Sequence, residues 1–130
     1  MRKTTILLIC LIFLSCGKES ESKMLNGLKS CDKDSICIAS YYFGEQKDRS
    51  VIKHLLTGIE DSRISHDIRH KGMSVYYCKM VALRKISGMN INVTEREKPD
   101  SKKIQKFIDW AVENQLIGAE ENINTKSCVN

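Results

Sequence analysis

The stretch from Gly72 to Gly88, GMSVYYCKMVALRKISG, is apolar on nearly every side when wound as a helix, and such a helix needs neighbours on two of its faces. At about 100° per residue, Val75, Cys78, Ala82, Leu83 and Ile86 fill one broad arc, while Met73, Tyr77, Met80 and Val81 fill most of the other. Lys79, Arg84 and Lys85 are left to find gaps toward water. Gly88 suits a C-cap, and Arg84 and Lys85 in the last turn complement the helix dipole. Amphipathic segments on either side are therefore expected to pack around this helix.

Those segments are legible. Asp34 or Ser35 can cap a helix running to about Phe43, with Ile36, Ala39 and Phe43 on one face and Gly44 as its stop. Asp48 or Ser50 caps a second, in which Val51, Ile52, Leu55, Leu56 and Ile59 form a clean stripe with Lys53 and Thr57 outside. Asp61 to Lys71 is polar and reads as a loop or short helical turn, and Met89 to Pro99, whose Ile91, Val93 and Thr94 would also suit a short strand, as an extended crossing of the surface. Asp100 or Ser101 caps the last long helix, with Ile104, Phe107, Ile108, Ala111 and Val112 inward and Lys102, Lys103, Lys106 and Asp109 outward. Regular structure ends at Gly118 unless Cys128 pins the tail. Strand-like alternation is scarce, so the expected fold class is all-α, a small bundle of about four helices.

The first residues set the address. Arg2 and Lys3 form a positive n-region, and Thr4 to Leu14 an apolar run too short for a bilayer span, which takes roughly 20 residues. Phe13-Leu14-Ser15-Cys16-Gly17 resembles the bacterial lipobox, with Phe13 in place of the usual leucine. That resemblance implies a signal peptide over 1–15 and acyl chains on Cys16, anchoring the chain in the cell envelope. Gly17, in place of the aspartate that retains many such proteins at the inner membrane, points to the outer membrane, facing the periplasm. Residues 16–30 begin with a polar, charge-mixed run that reads as a tether, leaving 31–130 as the folded domain. Loss of Arg2 and Lys3 lowers the net charge from +5 to +3, too weak to argue for a nucleic-acid partner.

Cys31, Cys37, Cys78 and Cys128 remain, an even number in a compartment that permits disulfides. Four cysteines allow three connectivities, and sequence alone does not choose among them. The favoured one joins Cys37 to Cys78, stapling the first helix to the central one, and Cys31 to Cys128, tying the ends. No CxxC pair is present to suggest a metal.

The order of an amphipathic helix, an acidic turn at Asp61 and then Val75-x-x-Cys78-x-x-x-Ala82-Leu83-x-x-Ile86-x-Gly88 resembles a HEAT-type repeat. Tyr76 stands where that motif carries an arginine, and the turn from Ser62 to Gly72 is longer. The run Ile108-Asp109-Trp110 followed by Glu113-Asn114 is similar to the closing helix of small HEAT-like bacterial lipoproteins. The resemblance spans about residues 33–115 and implies HEAT-like helix-hairpin packing. At most one and a half repeats are present, so terminal helices and disulfides must cap the ends.

For chemistry the chain offers little. No GxSxG, phosphate loop or close carboxylate pair occurs, and no cofactor is implied. His66 and His70, spaced i and i+4, could hold a metal with Asp67, which supports an alternative reading as a metal-dependent hydrolase or enzyme accessory. Tyr41, Tyr42, Tyr76 and Tyr77 are two adjacent pairs on helices expected to touch, and with Arg63 and Arg69 they make a candidate aromatic patch for a protein partner. The leading expectation is thus a lipid-anchored binding module, not an enzyme, meeting an unidentified periplasmic or envelope protein. An immunity protein against a secreted toxin is one concrete form. A structural cell-envelope lipoprotein is the remaining alternative.

Overall fold

The computed structural model describes residues 17–126 and 128, arranged as helices α1 (residues 17–29), α2 (Lys33–Gln46), α3 (Ile52–Leu56), α4 (Val75–Ser87) and α5 (Ser101–Glu113). A 3-10 turn, Arg49–Val51, leads into α3. Among the described residues there is no strand, only an isolated antiparallel bridge between Ile64 and Ser74. The all-α, disulfide-stapled bundle expected from the periodicity is the fold observed. The signal segment and the lipobox cysteine Cys16 lie outside the described residues.

Residues 17–29, read as a tether, are helical. Their polar half, 17–23, is solvent-exposed, but Leu28 is buried in the core, with Met24 and Leu25 packed against it. The i, i+1, i+4 spacing of these three residues supplies a narrow apolar face that the acidic and basic run before it hides. The folded body therefore begins about seven residues before Cys31.

Helix boundaries follow the capping chemistry, with shifts from expectation. α2 is capped by Asp32, not Asp34 or Ser35, because the Asp32 side chain accepts from the Ser35 amide. The helix also runs through Gly44 to Gln46 and ends on Lys47 in the left-handed conformation. Gly44 does not stop the helix; it permits contact. A Cβ there would lie 3.0 Å from Ala82 Cα and 3.3 Å from Ala82 Cβ. Gly44→Val is expected to destabilise the protein by about 1–3 kcal/mol in urea unfolding, since the obstruction is α4 backbone and not a movable side chain.

α4 starts at Val75, not Gly72: Ser74 accepts from the Tyr77 amide, and Gly88 closes the helix at φ 74° as expected. Asp48 caps the 3-10 turn and Asp100 caps α5, both as expected. The α3 segment is shorter than its apolar stripe and leaves the helix at Thr57, yet Ile59 is still fully buried in the turn beyond.

α4 packs most extensively on α2 and also touches α3 and α5, so it has the two-sided surroundings its sequence requires. Cys37 is bonded to Cys78, Gly44 meets Ala82 and Glu45 pairs with Lys85, so α2 and α4 run in the same sense. Chain reversal between them falls to α3 and the loop 57–74. Phe43, Tyr76, Met80, Leu83 and Phe107 fill the centre of the core. The tail is held: the Gly58 and Glu60 amides donate to the carbonyls of Asn124 and Thr125, Lys53 pairs with Glu121, and Cys128 is bonded to Cys31. Both cystines match the connectivity favoured from the sequence, with Cα–Cα separations of 5.7 Å and 5.3 Å.

Candidate functional site

Along α2, Cys37, Ser40, Tyr41 and Gly44 repeat at i, i+3, i+4 and i+7, and along α4 Cys78, Val81, Ala82 and Lys85 do the same. The two stripes start from one cystine and line the two walls of a cleft of about 180 Å³. Small residues at Ser40, Gly44 and Ala82 leave the space, and Arg69, His70 and Met73 from the loop 62–72 and its exit close one side. An adjoining hollow shares Tyr41, Arg69 and His70 and continues past Tyr42 to Met24 of α1.

The loop is built, not loose. Asp34 Oδ1 accepts from the Ser65 hydroxyl and from the amides of His66 and Asp67, and these bonds hold its carboxyl below the usual range. Asp61, almost fully buried, takes three side-chain bonds and one backbone bond from Arg63, whose other arm donates to the Cys31 carbonyl. Arg69 folds back on Asp67, whose acidity rises through the Arg69 backbone and side-chain bonds.

Of the residues expected at a partner patch, the structure brings Tyr41, Tyr77 and Arg69 to the cleft and sets Tyr42 beside it. Tyr76 and Arg63 must be withdrawn. Tyr76 is fully buried, its hydroxyl accepting from the Asp100 amide, because the α4 face carrying it points into the bundle. Arg63 is committed to Asp61 and Cys31. Among the described residues the exposed large hydrophobics are Tyr41, Ile64 and Ile68, at 56%, 38% and 90% exposure, and all belong to α2 or this loop. Tyr41 is propped by the His70 ring, 5.7 Å between centroids, and by the Lys85 ammonium 4.9 Å over its face.

Sequence reasoning missed Ser40 and Lys85 in the site, although their helical spacing from Cys37 and Cys78 could have revealed them. It also read His66, Asp67 and His70 as one possible metal set. No three-ligand cluster forms among the described residues. His66 is exposed while His70, whose amide closes a turn on the Asp67 carbonyl, is buried.

Lys79 is a second departure. Instead of reaching water it is buried, with Nζ donating to the carbonyls of Thr57 at 2.5 Å and His54 at 3.4 Å, where α3 ends. It supplies a cation to the carbonyl end of that short helix. Burial pushes its pKa down to about 8, and Asp61 opposes the shift in part. Below pH 8 both folded and unfolded chains hold this proton; above it the unfolded chain keeps the proton longer. Stability is therefore expected to rise by up to about 3 kcal/mol between about pH 8 and 10.5, and Lys79→Met to flatten that rise in urea titrations at each pH.

Comparison of the chain with family models, with curated proteins and with solved structures finds no match in any of the three.

Proposed function

We propose that this chain is a lipid-anchored, periplasm-facing protein-binding module of the bacterial envelope that docks its partner on the face formed by α2 and the loop 62–72. The single observation behind this reading is that the exposed large hydrophobics among the described residues, Tyr41, Ile64 and Ile68, all lie on α2 or the loop 62–72, where Tyr41 shares a cleft with Arg69 and Lys85. An exposed aromatic anchor on α2 beside a pocket, next to a loop tied down by Asp34, is the arrangement that gives a protein interface its central contacts. The anchor itself rests on the lipobox-like run ending at Cys16.

Two measurements test it. A photo-cross-linking residue at Ile68 should capture one envelope protein in cells, whereas the same residue at Lys102 on α5 should not. Labelling with a palmitate analogue should be lost in Cys16→Ser. Capture by both positions alike, or by neither, overturns the docking face. An immunity role is one form of the same reading; it requires that the captured partner be a toxin and that expression of the chain protect cells from it.

A further inference from the structure

Among the described residues, the buried side-chain polar atoms without a hydrogen-bond partner are Ser40 Oγ and His70 Nδ1, and both residues line the cleft between α2 and α4. Ser40 is 0% exposed and His70 is 7% exposed. His70 Nδ1 lies 3.4 Å from Asp67 Oδ1 without the alignment of a hydrogen bond. Buried polar atoms are nearly always paired in folded proteins, so two unpaired ones at a single cleft call for a group that enters and satisfies them.

The size and lining restrict that group. At about 180 Å³ the cleft is below the usual range of small-molecule sites, about 300–1,000 Å³, and close to the roughly 150 Å³ that holds one benzene ring. Its apolar walls, Met73, Tyr77, Val81 and Ala82, favour an aromatic ring. A hydroxyl and an imidazole buried in its walls favour a neutral group that both donates and accepts, because a carboxylate taken that deep would lose its hydration. Cations stand only toward the rim, and both are paired within the chain, Arg69 with Asp67 and Lys85 with Glu45, which leaves no free charge to select a charged ligand.

We infer that the cleft is a socket for a tyrosine side chain presented by the partner, the ring seated between α2 and α4 and the phenol meeting Ser40 or His70. This rests on the protein-binding reading above and specifies what the partner must carry.

The probes are acetyl-Gly-Tyr-Gly-amide, its phenylalanine counterpart, and p-cresol, each titrated into the purified chain by NMR. The tyrosine peptide is expected to shift the amides of residues 37–44 and 78–85 saturably and to bind about tenfold more tightly than the phenylalanine peptide. Ser40→Ala should reduce that preference to less than about threefold without weakening the phenylalanine peptide. Val81→Trp, which fills the cleft from its half-exposed side, should abolish both; intact cystines by non-reducing mass spectrometry and an unchanged circular dichroism spectrum show that each variant is folded. Equal affinity for the two peptides, a preference untouched by Ser40→Ala, or shifts elsewhere on the surface overturn the socket. So does p-cresol binding as tightly as the peptide, which assigns the cleft to a small phenol. If the peptide fails while Ile68 still captures one partner, the socket falls and the docking face stands.

Discussion

Cys37→Ala with Cys78→Ala lowers the stability of the protein by about 4 kcal/mol or more, whereas Cys31→Ala with Cys128→Ala costs clearly less. Chain entropy alone gives the opposite order. The 97-residue separation of Cys31 and Cys128 corresponds to about 5 kcal/mol, and the 41-residue separation of Cys37 and Cys78 to about 4 kcal/mol. Burial reverses the ranking. Cys37 is wholly buried and Cys78 nearly so, inside the α2–α4 contact, and two alanines there leave a gap at the point from which both cleft walls run. Cys31 and Cys128 are exposed, and the segment 118–126 that the bond retains contributes little buried surface, so the tail can detach without unfolding the rest. For a domain near a hundred residues a loss of 4 kcal/mol corresponds to a fall in melting temperature on the order of 20 °C. Thermal and urea unfolding of the two double variants decide the matter; a larger loss from the Cys31–Cys128 pair would show that the tail belongs to the cooperative core.

Tyr76→Ala is expected to cost about 3–5 kcal/mol, and Tyr41→Ala at most about 1 kcal/mol. Both residues lie next to a second tyrosine on helices that touch, and composition does not tell them apart. Tyr76 fills the centre of the bundle and accepts from the backbone amide of Asp100 at 3.3 Å, the residue that caps α5. Its removal opens a ring-sized void and leaves that amide without an acceptor; Tyr76→Phe isolates the second effect at about 1 kcal/mol. Tyr41 sits more than half exposed over the cleft and loses only its contacts with His70 and Lys85. Tyr41→Ala should instead abolish partner capture at full stability. Equal destabilisation by the two alanines, measured in urea, would show that Tyr41 belongs to the core.

The fate of each tyrosine shows where periodicity stops being informative. A stripe at i, i+3, i+4 and i+7 places residues on a face, and Val51, Ile52 and Leu55 or Ile104, Phe107 and Ala111 are all buried as their stripes require. α4 is apolar over so much of its circumference that its stripe does not select a face, and Tyr76 and Tyr77 differ by only one step of rotation. Gly44 shows the same limit. A glycine near a helix end reads as a stop, but here the neighbouring backbone of α4 needs its missing side chain, and that neighbour lies nearly forty residues away.

By itself the sequence determined the helical class, the caps at Asp48, Gly88 and Asp100, and an even set of thiols able to pair, because capping and amphipathic spacing act within a few residues of chain. Tertiary structure alone decided that α2 and α4 run in the same sense, that Lys79 turns inward to the carbonyls ending α3, and that Ser40 and His70 meet at one cleft. Those outcomes depend on which faces confront each other after the chain reverses through α3 and its loop, a matter of long-range packing and of which buried polar atoms find partners, and no local pattern carries it.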